Sequence, residues 1–278
     1  MSFRNLIQRF KTNSSGSSTF PHDRDSTAET TFWRPSFDPS RPVSLEWEHK
    51  LGHGEGGWGN NELQSYTSSP DNSFHTSDGK LVLRAIQSRD GATPTSSRLV
   101  SRTRLTHPRG HLFATLTLPC ATGIWPAFWL LPSEPFTWPG EGEVDIAETW
   151  NGSGENHSCL HWGFYTAEDA GKHRSVKTSV KGMGSRPLRF DFYWDAPAKR
   201  LVWVMEGRPV MRTSLPGGLR PMEEWNILLN VAMGGNVCEG QVPQEGAYDL
   251  VVHEISMSKI EPKAIDRFWS KAVEGKTL

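Results

Sequence analysis

The chain has almost no net charge. Thirty Lys and Arg stand against 31 Asp and Glu, leaving −1 over 278 residues. A protein built to grip nucleic acid or an anionic membrane carries a basic excess, so neither is expected as a partner. No apolar run approaches 18 residues, which excludes a helix of membrane-spanning length. The opening stretch MSFRNLIQRFKTNSSGSS lacks the apolar core of a secretory signal. The expectation is an intracellular or unconventionally exported protein, with the compartment itself left unknown. Cysteine is scarce too. Cys120, Cys159 and Cys238 are widely spaced and form no C-x-x-C pair. A disulfide framework is excluded; one bridge with a free thiol, or no bridge, both stay open.

Tryptophan, by contrast, is abundant, with twelve in the chain. So many large aromatics need a core or a stacking surface. Gly (26) and Pro (19) are too many for a helical bundle. Residues 1–30 have the Ser-rich composition of a flexible tail, although Phe3, Leu6, Ile7 and Phe10 fall at helical spacing. From there short apolar runs alternate with turn residues. Strands are expected at 81–86, 112–118, 189–194, 201–205, 226–233 and 250–257, with a hairpin turn at Glu206-Gly207. No helical segment alternates with them, so a parallel sheet is excluded and an all-β sandwich or jelly roll is expected. Ile265, Phe268, Trp269, Ala272 and Val273 have helical spacing, and Gly275 stands where such a helix would stop. The chain thus divides into a tail (1–30), a β domain (31–260) and a short helical extension (261–278).

Residues 134–155 carry six acids and no Lys or Arg. At their centre is Glu143-Val-Asp145-Ile-Ala-Glu148. Glu143 and Asp145 share a strand face because side chains alternate with period two. Glu148 has the wrong parity, and a β-bulge between Asp145 and Glu148 would restore it. Clustered carboxyls raise one another's pKa, so a carboxylate and a carboxylic acid could coexist there. Glycosidic bond cleavage needs that pair, and the close spacing predicts the retaining geometry, about 5–5.5 Å apart. A solvated acidic strand and a calcium-type cation site are the competing readings. Trp129 and Trp138 flank the acids in a loop-rich stretch and suit a saccharide groove. Trp125, Trp150, Trp194, Trp203 and Trp225 are expected in the core.

Five segments together resemble glycoside hydrolase family 16 of the laminarinase type. They are Glu143 to Glu148 as E-x-D-x-x-E, Trp58 to Gln64 as W-G-N-N-E-L-Q, Gly123 to Pro132, Leu160 to Gly163, and Asn230 to Asn236. The resemblance covers roughly residues 30–260. It implies a concanavalin A-like jelly roll of two curved antiparallel sheets. It also implies a retaining endo-hydrolase of β-1,3-glucan or mixed β-1,3-1,4-glucan. Glu143 would be the nucleophile, Glu148 the acid/base and Asp145 their assistant. Asn60, Trp129 and Trp138 would bind sugar, and His161 would stand near the leaving-group side. No cofactor is expected, and a monomer is. A transglycosylase and a non-catalytic β-glucan-binding protein are the alternatives.

The chain also departs from that family. The G-R-x-E-A-R segment many members carry is replaced by Gly110-His111-Leu112-Phe113-Ala114-Thr115, so any subsite contact from that Arg is either lost or replaced, with His111 the candidate substitute. His253 stands where a calcium-binding Asp would be, so no metal is expected. Asn-x-Ser sequons occur at Asn13, Asn151 and Asn156, the last two beside the catalytic strand, where a glycan could crowd a cleft. Lys80, Arg84, Arg89, Arg98, Arg102, Arg104 and Arg109 form a basic stretch, read as a solvated outer sheet face rather than an anionic-ligand patch.

Overall fold

The computed structural model describes residues 29–89, 91–164 and 166–277. The amphipathic stretch at Phe3 to Phe10 and the sequon at Asn13 lie outside them. Seventeen strands are present among the described residues. They are β1 (Thr30–Trp33), β2 (Trp47–Lys50), β3 (Ser65–Tyr66), β4 (Ser73–His75), β5 (Leu81–Gln87) and β6 (Thr95–Ser96). Next come β7 (Arg98–Arg104), β8 (Arg109–Thr117), β9 (Ile124–Pro132), β10 (Glu143–Glu148), β11 (Glu155–His161) and β12 (His173–Ser179). The last are β13 (Leu188–Asp195), β14 (Arg200–Met205), β15 (Arg208–Ser214), β16 (Trp225–Met233) and β17 (Gly246–Lys259). Every strand expected from the sequence is among them, as is the hairpin at Glu206-Gly207, which joins β14 to β15.

The strands form two sheets, antiparallel apart from the short β3–β6 pair. One sheet runs β15-β14-β13-β8-β17-β5-β6-β3, with β1 and β4 paired to it. The other runs β12-β11-β10-β9-β16-β7-β2. This is the all-β jelly-roll sandwich expected from the sequence. Period-two alternation explains the layering. On β9, Ile124, Phe128 and Leu130 are fully buried in the core, while Trp125, Ala127, Trp129 and Leu131 face a cleft. On β16, Ile227, Leu229, Val231 and Met233 point inward, and Asn226, Leu228 and Asn230 point to that cleft. Trp194, Trp203 and Trp225 are core residues as expected. Trp150 is only partly buried and stacks on His157, with ring centroids 3.8 Å apart.

The three cysteines are free thiols. Asn156 is fully buried, and its side chain is taken up by the neighbouring backbone, so it cannot carry a glycan in the folded protein. Asn151 is likewise engaged, accepting from the Gly123 N–H and donating to the Cys238 carbonyl. His253 bonds Thr117 on the ten-stranded sheet at 2.9 Å.

The C-terminal segment is less helical than its spacing predicts. A single α-turn, Asp266–Trp269, is followed by extended chain. Glu274 and Lys276 make β-bridges to Arg212 and Ser175, and those pairings need extended backbone. Gly275 is therefore no helix stop. It lies where a Cβ would come within 2.9 Å of the Arg174 Cβ, a close chain-on-chain packing. Ile260, Ala264, Ile265 and Ala272 bury themselves against Tyr193, Val202 and Val204 as a second, outer cluster.

Gly110 on β8 stands opposite Trp194 on β13, and an added Cβ would lie 2.1 Å from the indole ring. The Trp194 indole must shift to admit it. Gly110→Ala is expected to destabilise the protein by about 3 kcal/mol or more. Chemical denaturation checks this, and an unchanged midpoint would contradict the packing described.

Candidate active site

The cleft lies across the outer face of the seven-stranded sheet and has a volume of about 620 Å³. Glu143, Asp145 and Glu148 all line it. The reason is a bulge. Against β9, Asp145 pairs with Trp129 and Ala147 pairs with Phe128, so Ile146 is the extra residue. Without it Glu148 would follow Val144 into the core. With it Ala147 takes the inward position, fully buried, and Glu148 joins the two other acids outside.

A bulge leaves backbone groups without ladder partners, and buried ones must be satisfied. Asn156 on β11 does most of this. Its Nδ2 donates to the Ile146 carbonyl at 3.3 Å, and its Oδ1 accepts from the Glu148 N–H at 3.1 Å. From the opposite sheet, the buried Trp203 Nε1 donates to the Asp145 carbonyl at 2.7 Å. The bulge is thus held from both sides by side chains distant in sequence.

Each carboxyl has its own surroundings. Trp125 Nε1 donates to Glu148 Oε1 at 2.7 Å. Trp138 Nε1 donates to Glu143 Oε2. Burial pushes Glu148 up to about 7, against the pull of the Trp125 hydrogen bond. Burial also raises Glu143, and the Trp138 hydrogen bond and the Arg98 charge oppose this. Asp145 rises furthest, because it is buried and faces the negative charge of both glutamates. A side-chain hydrogen bond between the two favours the neutral form of Asp145 and the charged form of Glu143.

The other residues named from sequence are distributed as follows. Trp129, Trp138 and Asn60 line the cleft, and Trp138 is 47% exposed. His161 on β11 pairs across from Glu143 but is not among the cleft-lining residues. Its Nε2 lies 3.7 Å from Asp145 Oδ2 and 3.2 Å from Cys159 Sγ.

Three expectations need correction. Trp125 is a cleft residue, not core. It shares parity with Trp129 on β9, so both point the same way. His111 cannot replace a missing subsite arginine. It is buried on β8 in the other sheet, bonded to Asp191 at 2.8 Å and to Glu29, and stacked on Tyr193. Finally, the basic stretch is not wholly an outer face. Arg98, Arg102 and Arg104 sit on β7 and line the cleft.

Arg98 has a specific place there. Its guanidinium lies over both the Trp58 ring (4.6 Å) and the Trp129 ring (4.8 Å), bracing the aromatic floor. A buried polar chain braces the same floor from below. Gln64 and Tyr66 donate to Glu62, Asn230 donates to the Tyr66 hydroxyl, and Trp129 Nε1 donates to Asn230 at 2.7 Å. Of these residues only Trp129 was recognised as a site residue from sequence. Asn230 and Glu62 lie in motifs noticed in the sequence and Arg98 in its basic stretch, while Tyr66 carries no local signal.

A jelly-roll cleft floored by indoles and centred on three clustered carboxyls, Asp145 buried and both glutamates half-buried, has the make-up of a carbohydrate-active hydrolase. Comparison with known proteins agrees. A family model described as the XgeA-like catalytic domain of glycoside hydrolase family 16 matches residues 64–186. A beta-glucanase of Rhodothermus marinus is 34% identical over 224 residues, covering 73% of this chain and 75% of that protein. A glucan endo-1,3-beta-glucosidase of Cryptopygus antarcticus is 30% identical over 236 residues, covering 75% and 82%. The clotting factor G alpha subunit of Tachypleus tridentatus is 28% identical over 212 residues. The match covers 73% of this chain, which spans only 30% of that longer protein. The crystal structure of an endo-1,3-beta-glucanase from Streptomyces sioyaensis has the same fold, with a TM-score of 0.73 at 23% identity over 91% of this chain and all of that one. The chain belongs to glycoside hydrolase family 16 and is a glycoside hydrolase.

Asn156→Ala removes the clamp on the bulge and leaves two buried backbone groups unpaired. Each orphaned group costs about 1–3 kcal/mol. The variant is expected to lose stability on that scale. Its kcat should fall by roughly tenfold or more, with KM little changed, because a small misplacement of a reacting group is costly. Denaturation and steady-state kinetics check this; an unaltered kcat would contradict the clamp.

Proposed function

We propose that the protein is a retaining endo-hydrolase of β-1,3-glucan, with mixed β-1,3-1,4-glucan as a second substrate. The observation that carries this reading is the division of labour among three carboxyls on one bulged strand. All three line one cleft, where burial and both glutamates favour the neutral form of Asp145, the Trp138 hydrogen bond favours the charged form of Glu143, and burial raises Glu148 to about 7. The names of the relatives from Cryptopygus antarcticus and Rhodothermus marinus support the substrate class.

The reaction runs in two displacements. The Glu143 carboxylate attacks the anomeric carbon, and the bond to the leaving oxygen breaks. Glu148 gives its proton to that oxygen. Asp145, hydrogen-bonded to Glu143, stabilises its charge before attack and orients it. Glu148, now a carboxylate, takes a proton from water. The water oxygen attacks the anomeric carbon from the opposite face and frees Glu143. Two inversions leave the β-configuration unchanged. Trp138 serves twice, holding Glu143 and offering an exposed face to a sugar ring. Trp125 does the same for Glu148. Trp129 and Asn60 bind further sugars along the cleft. All these groups come from one chain, which suits a monomer.

The test is product analysis by chromatography and NMR on laminarin, barley mixed-linkage glucan and cellulose. Short oligosaccharides released first as the β-anomer from laminarin are expected. Glu143→Gln should lower the rate on the order of 10³-fold or more. Full activity in that variant, or an α-anomer as first product, would sink the proposal. Elongated products alone would indicate transfer to sugar instead of water, and binding without any product would indicate a recognition protein.

The pH profile follows from Glu148. It must be protonated for the first displacement, and its pKa is raised to about 7 by burial. Activity therefore falls as pH rises through about 7. The sign is that of an acid whose protonated form works. Measured kcat/KM on laminarin should show this alkaline limb, and a profile flat to pH 9 would contradict the assignment.

A further inference from the structure

Asp145 has two neighbours on β11 to which the two displacements above assign no step. Across the β10–β11 ladder it pairs with Cys159, and His161 is two residues further along the same face of β11. Cys159 Sγ lies 3.2 Å from His161 Nε2, and that nitrogen lies 3.7 Å from Asp145 Oδ2. All three ligand atoms fall within 4.8 Å of one another. On a tetrahedral zinc ion, with bonds of about 2.0–2.3 Å, ligand atoms stand about 3.3–3.6 Å apart. The two separations to His161 Nε2 are close to those edges, and the third, between thiol and carboxylate, is within 4.8 Å. Thiol, imidazole and carboxylate together are the donor set of a thiophilic divalent cation, not of calcium or magnesium.

We propose that Asp145, Cys159 and His161 form an inhibitory zinc site behind the catalytic carboxyls. This inference concerns regulation of the site and rests on the hydrolytic reading above. Three protein ligands leave a fourth position for water, or for a neighbouring glutamate. Glu143 and Glu148 line the cleft together with Asp145, and a cluster of carboxyls at one place attracts a cation. Asp145 itself lines the cleft, which gives the ion an entry route.

Binding forms a sulfur–zinc bond as the Cys159 thiol proton leaves to solvent. Asp145 likewise gives up its proton and coordinates the ion. The hydrogen bond from Asp145 to Glu143 is then gone. A positive ion beside Glu143 also weakens it as a nucleophile. Zinc therefore stops the first displacement without occupying the sugar subsites. Cys159 has no part in the sugar chemistry, so its replacement separates inhibition from activity.

Two measurements test this on the full chain. The first is metal binding, by zinc competition against a chromophoric chelator and by cobalt(II) absorption spectra. One equivalent per chain is expected, with a near-ultraviolet thiolate-to-cobalt band. Cys159→Ser and Cys159→Ala should both lose the band. The second is laminarin hydrolysis with and without zinc. Wild type should be inhibited and restored by EDTA. Cys159→Ser, equally active without metal, should need at least tenfold more zinc for the same inhibition. Equal inhibition of wild type and both variants, or no stoichiometric binding, overturns the site. If laminarin is not cleaved even without metal, the hydrolytic reading fails, while the binding experiment still reports on the cluster.

Discussion

Ile146 has no partner on β9, and this one unpaired residue decides where the acids point. Its insertion turns Ala147 into the core and Glu148 out to the cleft. A regular strand would bury Glu148 between the sheets, where a lone carboxyl is costly. The bulge in turn depends on partners that satisfy its backbone. Asn156 supplies two of these contacts and Trp203 a third, one from the neighbouring strand and one from across the core. The sandwich therefore shapes the cleft from both sides. The same indole that packs the two sheets together also fixes the backbone at Asp145.

The bulge also sets the electrostatics. Three carboxyls brought to one buried face cannot all ionise together. Burial and the charge of both glutamates favour the neutral form at Asp145. Donors then distinguish the two glutamates. Glu143 has Trp138 and the field of Arg98, while Glu148 has Trp125 alone and stays near neutrality. Two tryptophans thus join the aromatic lining of the cleft to its carboxyls. Arg98, lying over Trp58 and Trp129, links the cationic side of the cleft to the same floor.

The strand pattern and the gathering of the three acids on one face are legible because both follow period two, broken once. The parity mismatch of Glu148 called for a bulge, and the structure has it at Ile146. The same rule, applied to β9, would have put Trp125 beside Trp129. Trp125 was misread because a large indole in an apolar run resembles core. Arg98, Arg102 and Arg104 were assigned outward because charge density alone does not tell which outer face of a sandwich is the concave one. Asn156 looked like a glycan acceptor because its burial is set by a bulge on another strand, and no local signal records it. At the C-terminus, helical spacing lost to bridges at Arg212 and Ser175, which are also long-range.

The account turns on Glu143 as the atom donor that becomes covalently bound to sugar. A 2-deoxy-2-fluoro laminaribiosyl substrate with a good leaving group slows release of that intermediate more than its formation. Mass spectrometry of the intact protein and of its peptides then reads the site of attachment. One sugar per chain, on the peptide bearing Glu143 and absent from Glu143→Gln, is the predicted result. Attachment at Glu148, or turnover of substrate with no adduct at any carboxyl, would contradict it.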